Sequence, residues 1–371
     1  MIFLLKYYAD YGIMLLFKIW IIANKKIIQR LFVLKEICMK VVVDAFGGDK
    51  APKEIILGCV DALNEQEELE LILVGKEDII REELASAGYN GDRVTILNAS
   101  DVITCNDAPV EAIKTKTDSS IVVALNELKA HPEYAGFVSA GSTGAVLTGA
   151  FLKLGRIKGV LRPALAPVFP TVDRGRVLII DCGANMDSHE KNLAQFATMG
   201  DIYMREVYGI KSPRIGLLSV GDEDEKGNEM TKKAFALLKE MDINFVGNIE
   251  ARYALSGKYD VIVTDGFAGN VLIKSIEGTA SMMMKMFKQA VNKNAKSKLG
   301  GLLLKDSFKD IKNTMDYHAY GGAPLLGVNN VVVKSHGSSN AYSIQQSINQ
   351  VIAFYKAGLV DKIRSAMTKG E

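Results

Sequence analysis

The strongest constraint on this chain is a unit that recurs along it: a β-branched run, a loop of glycine with acidic or amide residues, then a helix. Met39-Lys40-Val41-Val42-Val43 reads as a buried strand, Asp44-Ala45-Phe46-Gly47-Gly48-Asp49-Lys50-Ala51-Pro52 follows, and Lys53 to Leu63 carries apolar residues at helical spacing. Leu69 to Gly75 and Arg93 to Leu97 read as the next strands, with a polar helix from Ile79 to Ala87 between them. Gly136-Phe137-Val138, Arg176 to Asp181, Arg214 to Gly221, Asp260 to Thr264 and Val331 to Val333 continue the series. Strands alternating with helices at such short intervals predict an α/β protein, its mostly parallel sheet covered by helices on both faces. In such sheets ligands gather beyond the carboxyl ends of the strands, so function is expected in the loops.

In Asp44–Pro52, paired Gly47 and Gly48 let backbone N–H groups approach an anion at the start of a helix. A tight turn with Asp49 as helix cap and Pro52 as first helical residue is the plainer alternative. Ser139-Ala140-Gly141-Ser142-Thr143-Gly144-Ala145, before the apolar helix Val146 to Leu154, offers N–H groups and hydroxyls as an oxyanion cradle. It lacks the Lys-Ser/Thr closure of a Walker loop and the G-x-G-x-x-G of dinucleotide binding; a turn chosen for close packing is its bland alternative. Asp181-Cys182-Gly183-Ala184-Asn185 and Asp265-Gly266-Phe267-Ala268-Gly269-Asn270 repeat the grammar, and Asn244 to Arg252 ends a strand with Asn, Glu and Arg. The acidic run Asp222 to Glu229 reads as a solvated face, with Lys226 beside Gly227 and Asn228 as a mobile cation able to reach a polyanion. Cys182 has no adjacent base to activate it and reads as packing.

Composition removes several classes of function. With 371 residues, 48% hydrophobic and 24% charged, there is room for one large α/β unit or two lobes. The net charge of +2 is unevenly spread: residues 1–38 hold six basic and two acidic residues, a net +4, which leaves −2 for the rest. A body without a positive field does not suit a general nucleic-acid binder. The 4 cysteines are scattered without a C-x-x-C pair, and the 4 histidines do not cluster, so reduced thiols, no metal and no cofactor are expected.

Residues 1–38 differ from the rest. Asp10, Lys18, Lys25 and Lys26 interrupt every run long enough to span a membrane, and no secretory cleavage pattern is visible. An interfacial amphipathic extension is one reading. The preferred one is a translated, non-native leader: Lys35-Glu36 can be encoded AAG GAG, a bacterial ribosome-binding sequence, with Ile37-Cys38 as spacer before a start at Met39. Residues 39–371 are then expected to form a single domain. Late in it, Ile273, Ile276, Ala280, Met283, Met284, Phe287 and Val291 keep helical spacing among Lys285, Lys288, Lys293, Lys296, Lys298, Lys305, Lys309 and Lys312. Apolar residues ringed by lysines suggest contact with anionic lipid, and a dimer helix pair with a solvated face is the alternative.

Nine ordered motifs resemble those of one family. They are Asp-Ala-x-Gly-Gly-Asp from Asp44, Ser-Ala-Gly-x-Thr-Gly-Ala from Ser139, Arg-Pro-Ala-Leu-Ala-Pro from Arg162, Asp-x-Gly-Ala-Asn from Asp181 and Lys-Gly-Asn-Glu from Lys226. Asn-x-Glu-Ala-Arg from Asn248, Thr-Asp-Gly-Phe-x-Gly-Asn from Thr264, Tyr-Gly-Gly-Ala from Tyr320 and Lys-x-His-Gly-Ser from Lys334 complete the set. Over Met39 to about Ala357 the chain resembles the bacterial phosphate acyltransferases (acyl-ACP:phosphate transacylases) of phospholipid synthesis; Lys50 stands where that family often has His.

The resemblance implies a three-layer α/β/α fold related to phosphotransacetylases and to isocitrate/isopropylmalate-type dehydrogenases. It implies a cytoplasmic, peripherally membrane-associated homodimer that moves a long-chain acyl group from acyl carrier protein to inorganic phosphate. The acyl phosphate would be handed to a glycerol-3-phosphate acyltransferase.

For such a reaction phosphate must be held against a carbonyl carbon, and the tetrahedral oxyanion needs donors. Ser142, Thr143 and Lys226 are candidates for phosphate, and Asn185, Asn228 and Asn270 for the oxyanion, while Asp44, Asp49 and Asp181 would orient loops and cations. Gly47, Gly48, Ser139, Gly141, Gly144, Gly183, Arg252, Asp265, Gly266 and His336 complete the expected phosphate and thioester site, His336 as readily structural as acidic. The Met282–Met286 region and Leu299, Leu302, Leu303 and Leu304 are candidates for acyl or membrane contact. Rival readings are a phosphotransacetylase using acyl-CoA, a nicotinamide dehydrogenase (disfavoured by the missing G-x-G-x-x-G) and a non-enzymatic membrane scaffold.

Overall fold

The computed structural model describes residues 39–308 and 320–368; the leader reading of residues 1–38, and Lys309 and Lys312, lie outside them. The chain opens with β1 (Met39–Asp44), α1 (Lys53–Glu65), β2 (Leu69–Gly75), α2 (Glu77–Ser86) and β3 (Val94–Asn98). It continues through α3 (Pro109–Thr115), α4 (Ser120–Ala130), β4 (Gly136–Ser139) and α5 (Thr143–Gly149), which runs on as a π-helical turn over Ala150–Leu154. β5 (Ala164–Leu165), β6 (Val168–Pro170), β7 (Arg176–Ile180), α6 (Glu190–Tyr208), β8 (Ile215–Ser219), α7 (Glu229–Glu240) and β9 (Phe245–Glu250) follow. β10 (Val261–Val263), α8 (Gly266–Val291), α9 (Ala295–Leu303), β11 (Ala323–Leu326), β12 (Val332–Lys334), α10 (Ala341–Lys356) and α11 (Leu359–Thr368) complete it.

The strands form two sheets, in the orders β3-β2-β1-β4-β12-β11-β5 and β6-β7-β10-β8-β9. Every pairing is parallel except β11 with β12 and β5, and β6 with β7. β1 shows why the pattern holds: Val41, Val42 and Val43 are all fully buried, as in a parallel strand covered on both faces. α1 buries Ile55, Ile56, Cys59, Val60 and Leu63 on one stripe and packs against α10. Arg93 ties off the end of α1, its guanidinium donating to Leu63 O and Gln66 O, both at 2.7 Å.

Two features position the loops. In the first sheet the chain runs outward from β1 to β3 and then returns to β4 on the other side of β1, so a crevice opens beyond the ends of β1 and β4. The second feature was not expected from the sequence: at Ala164–Pro170, the chain passes from one sheet to the other. Ala166 N–H donates to Pro324 O at 2.9 Å on the first side, while Pro167 O accepts from Ile179 N–H at 3.1 Å on the second.

Candidate active site

Beyond β1, β4 and β12 three loops converge. Asp44, fully buried at the end of β1, accepts from Ser139 Oγ at 2.7 Å and from Phe46 N–H at 3.2 Å. Ser139 Oγ in turn accepts from Gly141 N–H at 3.0 Å. Burial pushes the Asp44 carboxyl up, against the bonds from Ser139 and Phe46 that favour its charged form. The contact depends on glycine: a Cβ on Gly47 would lie 2.4 Å from Asp44 Oδ2 and 2.6 Å from Gly141 N. The third loop joins through Ser335 N–H to Ser139 O at 2.9 Å and Asp49 N–H to Gly337 O at 2.8 Å.

At the end of β12, Lys334 points into this junction with only 7% of its surface exposed. Its ammonium donates to the carbonyl oxygens of Ala140, at 3.5 Å, and Ser335. Burial pushes Lys334 down to about 8, with Cys105 and Asp44 pulling the other way. Sequence reasoning saw the motif but not this residue as a site member. The signal was a cation closing a β-branched strand, Val331-Val332-Val333-Lys334.

In the second sheet Asp181 plays the part of Asp44. Its Oδ1 accepts from Leu165 N–H at 2.8 Å and Ala184 N–H at 3.2 Å; its Oδ2 accepts from Asn185 N–H at 2.7 Å and Asn185 Nδ2 at 2.9 Å. Burial pushes this carboxyl up, too. Asn185 Nδ2 also donates to Pro163 O at 2.7 Å. Both amide hydrogens are thus committed, so the expectation of Asn185 as an oxyanion donor is corrected to an organiser of the loop. Gly266 N–H donates to Asn185 O at 2.8 Å, and Asp265 caps α8 by accepting from Ala268 N–H at 2.8 Å. Gly269 lets α8 press onto β7: a Cβ there would fall 1.9 Å from Asp181 O.

Between the two systems lies a cleft of about 130 Å³, lined among others by Thr143, Cys182, Asn270, Lys334 and His336. His336 Nδ1 sits 2.8 Å from Ser338 Oγ and accepts Ser338 N–H at 3.2 Å. Lys274, at the rim, is paired with Glu277 at 2.8 Å. Burial raises the Cys182 thiol well above its ordinary value, and its sulfur contacts Ile179 O at 3.4 Å. That leaves it a packing residue.

The other expected site residues divide into two groups. Ser142 stands at the start of α5, its Oγ accepting from Ala145 N–H at 3.5 Å. Gly144 faces Pro109 and Gly183 faces Asn270. Gly48 packs against Ala140 and Gly337 O, and Asp49 beside it is exposed. The capping role for Asp49 does not hold, since Pro52 occupies the N-cap position of α1 without a side-chain bond. Lys226, Asn228 and Arg252 do not line the cleft. Asn228 caps α7 by accepting from Thr231 N–H at 2.9 Å, Lys226 is exposed on the preceding turn, and Arg252 pairs with Glu250 at 2.7 Å.

A profile described as "Fatty acid synthesis protein" matches residues 39–362. The phosphate acyltransferase of Clostridium novyi (strain NT) is 48% identical over 327 residues, 88% of this chain and 98% of that protein. That of Halothermothrix orenii is 48% identical over 333 residues, 89% and 99% of the two chains. Among solved structures, a phosphotransacetylase from Streptococcus pyogenes superposes with a TM-score of 0.58 at 19% identity, covering 86% of this chain and 94% of its own, a likeness of fold. With its α/β fold of mostly parallel sheets, a family profile matching residues 39–362 and this degree of identity over nearly nine-tenths of its length, the chain belongs to the phosphate acyltransferase family of fatty acid and phospholipid synthesis.

Proposed function

We propose that this enzyme transfers a long-chain acyl group from the thioester of acyl carrier protein to inorganic phosphate by direct attack, giving acyl phosphate and free carrier. The supporting observation is Lys334: a buried lysine that lines the cleft together with Thr143 and Asn270, while the carboxylates Asp44 and Asp181 are held by bonds from Ser139 and from Leu165. Lys334 and Thr143 hold the phosphate; Asn270 donates to the oxyanion. A phosphate oxygen forms the new C–O bond, the C–S bond breaks, and the electron pair leaves on sulfur as a thiolate. That group's pKa near 8.5 makes proton donation a minor need. Lys226, with Asn228 shaping its turn, acts as a second, mobile cation. The Cys182 thiol of the cleft is buried and raised well above its ordinary value, so it supplies no thiolate nucleophile, which supports direct attack over an acyl-cysteine.

The hairpin of α8 and α9 supports peripheral membrane contact. Met282, Met286, Leu299, Leu302, Leu303 and Leu304 are exposed there among Lys285, Lys288, Lys293, Lys296 and Lys298. No described helix is long and apolar enough to cross a membrane, so contact would be interfacial. A homodimer, and hand-off of the acyl phosphate to a glycerol-3-phosphate acyltransferase, complete the proposal.

The test incubates purified protein with palmitoyl-acyl carrier protein and phosphate, reading free thiol and hydroxylamine-trapped acyl phosphate. Phosphate-dependent release of both is expected. Turnover of palmitoyl-CoA alone would favour the phosphotransacetylase reading, and no consumption of either donor would favour a scaffold.

A further inference from the structure

A long acyl tail needs a concave apolar channel that starts where its carbonyl reacts, and among the described residues the hairpin face does not offer one. Leu303 is 79% exposed there, on an open helical surface. A groove of about 340 Å³ between α3 and α5 does, lined by Val110, Leu147, Phe151, Leu152 and Leu325 together with Thr148 and, among its polar members, Lys114, Arg162 and Asn185. Three segments run directly from the cleft into this groove. Along α5, Thr143 lines the cleft and Leu147, one turn later, the groove; along β11, Ala323 and Leu325 stand in the same relation; along β5 and its approach, Leu165 and Pro163 do. α5 is apolar on both sides, with Ala145, Val146 and Ala150 buried in the core. Its other side leaves Phe151 and Leu152 43% and 46% exposed, next to Val110 at 53%. Large apolar side chains left in the open around a concavity mark a binding site.

We propose that this groove holds the acyl tail of the thioester substrate, with the carbonyl end in the cleft at Thr143 and the chain running along α5 past Phe151. This rests on the acyl-transfer reading above. From Thr143 to Phe151 the helix advances about 12 Å, so the groove selects for chain length. Its occupant is a hydrocarbon because its walls are apolar; the cations Lys114 and Arg162 share the groove with them.

Thr148→Trp would fill the groove floor. Each buried methylene is worth ~0.8 kcal/mol, or about fourfold, so excluding roughly three should lower kcat/KM for palmitoyl-acyl carrier protein on the order of 50-fold. The value for a butanoyl donor, whose chain ends before Thr148, and KM for phosphate should change less than about twofold, which also shows that the variant is folded. Phe151→Ala, which adds no bulk, should shift preference the same way more weakly. Binding of a fluorescent long-chain fatty acid, read without phosphate or carrier protein, should be lost in Thr148→Trp. An unchanged chain-length profile in both variants would overturn the proposal, as would a changed oligomeric state with an unchanged profile, which would make the groove an interface between copies. Wild-type protein that binds the fatty acid in the groove but consumes no acyl thioester would instead overturn the transfer reading and leave the groove assigned to an apolar chain.

Discussion

Lys334 holds its charge in a place that disfavours it, and that has two consequences of opposite sign. Burial depresses its pKa to about 8, so between there and the unfolded lysine value near 10.4 the unfolded chain binds more protons than the folded one. Stability contributed at this site therefore rises with pH across that window, and below it the folded protein carries an uncompensated burial cost. Lys334→Met is expected to raise the melting temperature without phosphate, while abolishing most of the stabilisation that added phosphate gives the wild type. Binding runs the other way. As pH rises through about 8 the ammonium is lost, so KM for phosphate should climb in the wild type and stay high and flat in Lys334→Met. Asp44, Asp49, Cys105 and Lys274 are the groups that act on this charge. A wild-type KM that does not respond between pH 7 and pH 9, roughly a unit either side of that value, would remove Lys334 from the phosphate site. The residue was hard to pick out beforehand because its burial is made by a loop 194 positions away in sequence.

At the level of elements, the strands that carry the site were legible and the ones that join its halves were not. β1, β4, β7, β10 and β12 announce themselves as β-branched runs ending in glycine or polar loops. β5, β6 and β11 are short and sit among Pro163, Pro167, Pro170 and Pro324, residues that read as breakers but are tolerated in edge and crossing strands. α3 is masked in the same way, by Pro109 in its first turn. Loop chemistry was legible as a set but not residue by residue: Asn185 and Asn228 look alike in sequence, yet one braces a loop and the other caps a helix. The loop before α7 can be dissected accordingly. Asn228→Ala removes the α7 cap and should cost about 1 kcal/mol in denaturant unfolding. Lys226→Ala should leave stability unchanged and lower turnover roughly 10²-fold if the ammonium meets developing charge. Near-normal kinetics would take Lys226 out of the mechanism.

At the scale of the whole molecule, the hairpin of α8 and α9 gathers exposed Met282, Met286, Leu299, Leu302, Leu303 and Leu304 on one described surface. Charge reversal at Lys296 and Lys298 should weaken co-sedimentation with phosphatidylglycerol vesicles, and the loss should shrink as salt is added. Unchanged sedimentation would end the lipid proposal. A different consequence comes from the strand order of the first sheet, which takes β1 to β5 from the early chain and β11 and β12 from near its end. α1 likewise packs on α10, some 280 positions later, with Gln345 Nε2 reaching Glu65 Oε2 at 3.0 Å. Contacts this distant are slow to form. During synthesis the early strands must wait, with an unpaired β4 edge exposed, until β12 emerges to cover it and deliver Lys334. The polypeptide thus acquires the buried charge of Lys334 in one of the last steps of its own folding, and nascent chains cut short of β12 should depend on chaperones to stay soluble.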